Sequence, residues 1–304
     1  MPELPEVETI KKGLEKTILG KKIADIEVRQ PKIVSVGPKI VSNIRIHSPR
    51  TAQIFRRLLR GLKFVKIRRR AKMLILDLSG PLTLLIHLKM TGQLIYAKKK
   101  EKKIVKIFNS ANSPTAVLPH KYTHAIFTFS DGSKLYFNDL RQFGYLRLVK
   151  DKEIGSVKEL KEFGPEPLTK DFTLDYLKQK AKSRRKLSVK QFLMEPKVVA
   201  GIGNIYSDEI LYCAKIRPNR RVRSLSKSDF QAICKCVPVI LKKAVKAHGS
   251  SVGDFFKVDG SEGTFGRAHM VYGRYGKPCK TCGEIIKKIK LGGRTSSYCP
   301  HCQR

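Results

Sequence analysis

A chain of 304 residues with 41% apolar content has enough material for about two domains with cores of their own, which excludes a wholly disordered protein. Its 63 Lys+Arg against 25 Asp+Glu leave a formal net charge of +38, an excess that repels itself unless a polyanion takes up the field. That balance selects nucleic acid as the partner, with a ribosome-associated protein or a generally basic proteome as the plain alternatives, and it is silent about catalysis.

The first predicted element is a helix. Pro5 suits a first helical position, and Val7, Ile10, Leu14 and Ile18 follow at near-helical spacing until Gly20 stops the run. Glu3, Glu6, Glu8 and Glu15 in this stretch rule out a signal or transit peptide. No segment approaches the about 20 apolar residues of a membrane span, so a soluble, cytoplasmic protein with no membrane partner is expected. Strands are predicted at Ile23–Val28, Leu62–Ile67, Met73–Leu78, Leu82–Leu88, Ala125–Phe129 and Leu135–Phe137, with Asp131-Gly132 as a hairpin signal between the last two. Turns rather than helices separate them, so a sandwich is expected instead of a parallel α/β sheet. The lysine-rich run opening at Lys98 and reaching about Pro119 reads as a mobile surface loop or simply a solvated charge run.

From about Thr169 the pattern turns helical. Ser226 with Asp229 forms a capping-box start, and Phe230, Ile233, Val237, Leu241 and Ala244 make an apolar stripe in which Pro238 predicts a kink. A glycine-rich stretch runs from Gly249 to Gly266 and leads into a cysteine module. The fold class that results is α+β and multidomain: a β-rich part over residues 1–150, a helical part over 151–265 and a small metal module over 266–304.

Cys279-x2-Cys282, sixteen residues, then Cys299-x2-Cys302 offers four thiolates to one ion and predicts a structural tetrahedral Zn2+. The alternative, two redox dithiols, needs a βαβ context that is absent. His301 is a bystander between two ligands, and Cys234 and Cys236 read as core residues of a helix. Thiolate ligands suit a reducing cytosol. The basic residues around the module make it similar to a nucleic-acid-binding finger.

At the other end, Pro2 follows the initiator Met, a context in which Met is usually removed. That leaves a secondary α-amine, whose ordinary pKa of about 8 keeps a useful fraction neutral. Attack by such an amine on a sugar C1′ gives an iminium, an electron sink of the lysine Schiff-base kind. Glu3 and Glu6 set carboxylates beside it for acid/base work. Alone, this pair also reads as the opening of a helix and nothing more.

Read whole, Met1-Pro2-Glu3-Leu4-Pro5-Glu6-Val7-Glu8 together with the zinc module resembles formamidopyrimidine-DNA glycosylase, the bacterial family that excises 8-oxoguanine and ring-opened purines. Further segments match in order: Arg70-Ala71-Lys72, His87 to Gly92, Asp139 to Gly144, Gly164 to Leu168, Gly201 to Tyr206 and Val271 to Arg274. The resemblance implies an N-terminal β-sandwich with an N-terminal helix, a helix–two-turns–helix domain and a zinc-ribbon finger, in a monomer acting on damaged double-stranded DNA. It makes Pro2 the nucleophile, Glu3 the acid/base group, Lys72 an aid to lyase chemistry near the lesion phosphate, and Glu6 a lesion-recognition residue. Met90, Arg141 and Phe143 would fill the gap left by a flipped nucleotide.

Asn204, read as a cap of a helix starting at Ile205, would grip phosphate with Arg294, and His87 and Tyr272 are further backbone contacts. The stretch from about Ser250 to Gly266 corresponds to a loop covering the flipped base. Leu140 and Gln142 stand where the family often has Pro and Arg, which implies a less rigid wedge loop. Leu4 favours oxidised purines over the oxidised pyrimidines of the related endonuclease VIII branch. A homologue that binds DNA without catalysis is countered by the presence of Pro2, Glu3 and Lys72. A zinc-ribbon factor of transcription or translation leaves the amino-terminal motif unexplained.

Overall fold

The computed structural model describes residues 1–38, 48–107, 113–253 and 255–304. They form two compact units, one of Met1–Lys161 with His248–Thr264, the other of Glu162–Ala247 with Phe265–Arg304.

The first unit opens with helix α1 (Leu4–Ile18), then β1 (Ile23–Val28), β2 (Val34–Val36) and α2 (Pro49–Leu59). It continues through β3 (Phe64–Arg70), β4 (Met73–Leu78), β5 (Leu82–His87), β6 (Gly92–Ala97), β7 (Ile104–Lys106) and β8 (Thr115–Val117). The remaining elements of this part are β9 (Thr123–Phe129), β10 (Lys134–Asp139), β11 (Tyr145–Lys150) and the short α3 (Lys158–Glu162). A four-stranded sheet β1-β9-β10-β6 faces a five-stranded sheet β2-β11-β5-β4-β3; among the described residues only β2 and β11 pair in parallel.

Alternation along the strands explains the sandwich. Ile26, Leu94, Phe127 and Phe137 from one sheet meet Phe64, Leu76, Ile86 and Leu148 from the other in a single buried cluster, with Val7, Ile10 and Leu14 of α1 packed into it. Each such side chain contributes about 1.5–3 kcal/mol on burial. The opposite faces are apolar too, which is why the strands read as nearly continuous hydrophobic runs. Ile95, Ala97, Ile126 and Tyr136 are covered by Val105, Leu118 and Phe256. Two expectations change here. The run from Lys98 to Pro119 is no loose loop: among its described residues β7 and β8 pair as a hairpin, and Val105 and Leu118 give it apolar attachments. The segment His248–Thr264, read with the helical part, packs in the first unit instead. Val258 accepts the Tyr96 N–H at 2.8 Å and lies against Gly13, where an added Cβ would sit 2.9 Å from its Cγ2.

The second unit holds α4 (Leu174–Lys182), α5 (Val189–Met194), α6 (Asn204–Cys213), α7 (Lys227–Lys246) and the hairpin β12 (Lys287–Leu291) and β13 (Arg294–Tyr298). Helix α7 starts at the capping box of Ser226 and Asp229, and Phe230, Ile233, Val237, Leu241 and Ala244 are its buried face. Pro238 does not break it, since the helix is continuous over 20 residues from Lys227 to Lys246; burial of that face outweighs one missing N–H donor. Cys236 is buried, as a core residue should be, and it also forms a disulfide with Cys213, the last residue of α6, across a Cα separation of 5.8 Å. Cys234 is only half-buried and free. Among the described residues no helix is long and apolar enough to cross a membrane.

Candidate active site

The amino-terminal end is built into the first unit. Met1 is exposed while Pro2, Glu3, Leu4, Pro5 and Glu6 are all buried. Glu3 is the N-cap of α1, and the Glu6 carboxylate reaches back to accept the Glu3 N–H at 2.8 Å. Its other oxygen accepts the Ser250 N–H at 2.8 Å. Glu6 therefore joins the start of α1 to the segment 248–264. The join depends on Gly249, whose φ is +79° and where a Cβ would lie 2.9 Å from Glu6 Oε1.

One helical turn on, Glu8 binds Arg69 Nε at 2.8 Å, and Arg69 also donates to the Ala71 carbonyl at 2.8 Å. Burial works against the Glu8 carboxylate, but the hydrogen bond and charge of Arg69 hold its pKa below the usual value. This clamp fixes the β3–β4 turn, in which Ala71 takes the left-handed φ of 55° and Lys72 comes next.

Lys72 and His87 share one neighbourhood. Burial, with the charges of Lys89 and Lys72, pushes the His87 pKa down to about 3, so the ring is neutral at pH 7. Nδ1 accepts the Lys89 N–H at 3.0 Å, which leaves the proton on Nε2 as a donor. The ring rests on Tyr145 with centroids 5.7 Å apart. A neutral Nε2–H donor beside two ammonium groups can bind a phosphate oxygen.

Beyond β5 the loop carrying Met90 meets the loop after β10. The buried Asp139 carboxylate organises both, accepting from the Thr91 hydroxyl, from Arg141 N–H at 3.2 Å and from Gly144 N–H at 2.7 Å. Thr91 Oγ1 also takes the Arg141 N–H at 3.0 Å. Met90 and Phe143 are exposed rather than core, and the Arg141 guanidinium lies 4.8 Å from the Phe143 ring centre. Two apolar side chains and a planar cation are thus held out to solvent on tied loops. Leu140 is exposed as well, and Gln142 adopts the left-handed region with φ 55°. Asp139 lay within a matching segment, yet its part in holding the loops was missed because nothing in the sequence gives its partners.

In the second unit, Gly203 is the N-cap of α6 and Asn204 its first helical residue. The expected Asn204 cap therefore shifts by one position, glycine tolerating the extended backbone there. Asn204 Oδ1 is buried and has no hydrogen-bond partner among the described residues. One turn later Asp208 accepts from the Lys190 ammonium at 2.7 Å, from Ser297 N–H at 2.9 Å and from the Ser296 hydroxyl. Residues four apart share a helix face, so Asn204 lies on the side of α6 that carries β13, whose first residue is the exposed Arg294. Glu209 receives the N–H groups of Met270, Val271 and Tyr272 at 2.9, 3.0 and 2.9 Å, fixing the backbone of Tyr272. Neither carboxylate was singled out from sequence, where Asp208-Glu209 looks like any polar helix turn.

The sulfurs of Cys279, Cys282, Cys299 and Cys302 all lie within 4.8 Å of one another. Cys282 and Cys299 approach to 3.5 Å and Cys279 and Cys302 to 3.9 Å. A tetrahedron with Zn–S bonds of about 2.3 Å has edges of about 3.8 Å, so the four thiolates fit one zinc ion. Backbone N–H groups of Thr281 and Cys302 point at the sulfurs of Cys279 and Cys299 at 3.5 and 3.3 Å.

Comparison with known proteins covers the whole chain. Family profiles match the formamidopyrimidine-DNA glycosylase N-terminal domain over residues 1–146, its H2TH domain over 163–255, and a zinc finger found in FPG and IleRS over 276–304. A formamidopyrimidine-DNA glycosylase of Carboxydothermus hydrogenoformans is 39% identical over 304 residues, covering 100% of both chains. One from Pelotomaculum thermopropionicum is 36% identical, covering 100% of this chain and 99% of its own. Among solved structures, a Lactococcus lactis FPG mutant in complex with Fapy-dG DNA superposes with a TM-score of 0.83 at 32% identity, covering 100% of each chain. The wild-type Lactococcus lactis protein with DNA containing an oxidised pyrimidine gives 0.82 at 32% identity, again over 100% of each chain.

Proposed function

The chain belongs to the formamidopyrimidine-DNA glycosylase family, and on that premise we propose that it is a bifunctional repair enzyme that releases oxidised purines from duplex DNA and then cuts the strand. The amine of Pro2, freed of Met1, attacks C1′ of the damaged nucleotide. The N–C1′ bond forms, the glycosidic bond breaks, and the base leaves with a proton. Opening of the sugar gives a Pro2 iminium, which acidifies C2′–H. β-Elimination then expels the 3′ phosphate and δ-elimination the 5′ phosphate. Glu3 moves the protons, and Lys72 and neutral His87 hold phosphate oxygens. Met90, Arg141 and Phe143 occupy the space of the extruded nucleotide, offsetting the few kcal/mol of stacking and pairing lost on flipping. Asn204, Tyr272 and Arg294 grip the backbone, and Glu6 with the segment 250–266 meets the flipped base.

One observation carries this reading. Pro2 and Glu3 are buried together at the head of α1, where Glu3 and Glu6 form a reciprocal capping box; the capping box accounts for the two carboxylates, while a Pro2 nitrogen and a proton-carrying carboxylate sharing one site closed to solvent is more than a helix opening requires. The choice of oxidised purine over oxidised pyrimidine rests on family membership and Leu4. The Lactococcus lactis relative's complexes with Fapy-dG and with an oxidised pyrimidine make a panel of both lesion classes the direct test. Borohydride reduction in the presence of an 8-oxoguanine duplex is expected to leave a covalent protein–DNA adduct. Pro2→Gly should weaken it greatly and an uncleaved N-terminal tag should abolish it. Equal trapping by the tagged protein would overturn the assignment of Pro2.

A further inference from the structure

The inserted run between β6 and β9 has no part in the chemistry above, yet it is attached to the segment 248–264. Both ends of that segment are held near the head of α1: Ser250 N–H by Glu6, and Thr264 by a bridge to Ser250. The described residues between have no helix or strand of their own, so their order comes from what they touch. Three of these contacts are on the β7–β8 hairpin. Phe256 shares an apolar cluster with Val105 and Leu118. Glu262 pairs with Lys106 at 3.3 Å. The backbone at Gly260 passes so close that a Cβ there would sit 3.7 Å from both Lys103 Cε and Val105 Cγ1.

We propose that this hairpin positions the segment 255–262, bracing from outside the stretch that Glu6 anchors at the reaction centre. Burial along β7 alternates exposed, buried, exposed, so Val105 points inward to Phe256 while Lys106 is left at the surface to meet Glu262. Two three-residue strands are not stable alone, and the hairpin is held in turn by the outer face of β6, β9 and β10 through Ile95, Ile126 and Tyr136. Apolar cover and an ion pair thus come from an element other than α1, which carries Glu6. The role in base release rests on the reading of this segment as the cover of a flipped base; the bracing itself does not.

The test is hydrogen exchange of the peptide 255–264 in the full chain, alongside single-turnover release of 8-oxoguanine and cleavage of a preformed abasic site. In Val105→Asp that peptide is expected to exchange about tenfold faster while α1 and α7 are unchanged. Base release should slow about tenfold and abasic cleavage stay within about twofold, because a cover for the base is idle when no base is present. A milder pair guards against misfolding. Lys106→Glu and Glu262→Lys should each speed exchange about threefold, and the double swap should restore it. Unchanged exchange in all variants, or no recovery in the double swap, overturns the proposal. Equal loss of base release and abasic cleavage makes the hairpin general scaffolding and also overturns it. Faster exchange in a protein whose wild type never traps DNA would leave the bracing standing and remove the function assigned to it.

Discussion

Asp139→Ala offers the sharpest test of how the exposed Met90, Arg141 and Phe143 are held. The wild-type carboxylate accepts three hydrogen bonds in a site closed to solvent. On its removal the Thr91 hydroxyl and Arg141 N–H keep each other at 3.0 Å, but the buried Gly144 N–H loses the acceptor that the structure gives it. A stranded donor costs about 1–3 kcal/mol and a lost bond to a charged acceptor about 1.5–3 kcal/mol, and the two overlap, giving about 3 kcal/mol in all. For a unit of this size each kcal/mol moves the midpoint by about 2–4 °C, so Tm should fall by about 6–12 °C. Asp139→Asn keeps the shape and one acceptor and should lose about half as much. Circular dichroism follows the transition, the chain having no tryptophan. The functional counterpart is affinity for a duplex with an abasic site, which should fall further than affinity for intact duplex. A Tm within about 1 °C of wild type, or equal weakening on both duplexes, would refute the reasoning.

Three other outcomes follow from the geometry. His87, with its pKa depressed to about 3, binds no proton in either state above about pH 6.5; below that the unfolded chain takes one that the folded site refuses, so stability falls by about 1.4 kcal/mol per pH unit down toward pH 3. Urea titrations of wild type and His87→Gln between pH 4 and 7 should show that slope only in the wild type. Removing zinc with a chelator, or substituting Cys299→Ser, should weaken duplex binding at least about tenfold by unfolding the finger, as measured by fluorescence anisotropy; full affinity after confirmed metal loss contradicts this. Cys213→Ser should lower stability by about 3 kcal/mol, the loop-entropy expectation for partners 23 residues apart, and reductant should change the wild type but leave the variant alone.

The readable parts of this molecule were those set by local pattern. Val7, Ile10, Leu14 and Ile18 placed α1, Met73–Leu78 was a strand to the residue, and the paired Cys-x-x-Cys turns announced their tetrahedral sulfurs. What stayed hidden depends on partners far along the chain. Helix α2 has a plain signature in Ser48-Pro49 and in Ala52, Phe55 and Leu59, but it sits amid arginines that masked the stripe. The hairpin in the lysine-rich run escaped because only Val105 and Leu118 mark it as attached. Pro238 does not interrupt α7, since propensity is a weak term beside a buried helix face. The pairing of Cys213 with Cys236 and the three-way grips of Asp139, Asp208 and Glu209 have no local signature at all.

The grip of Asp208 on Lys190, Ser296 and Ser297 joins α6 to the finger with charges that no counterion can reach. Contacts from exposed basic residues to phosphates weaken steeply as ionic strength rises, whereas a pair sealed from water is screened far less. Concentrated salt should therefore strip bound polyanion from this protein while the metal hairpin stays seated on its helix, so that a high-salt wash yields a nucleic-acid-free preparation in which α6 and β13 are still joined.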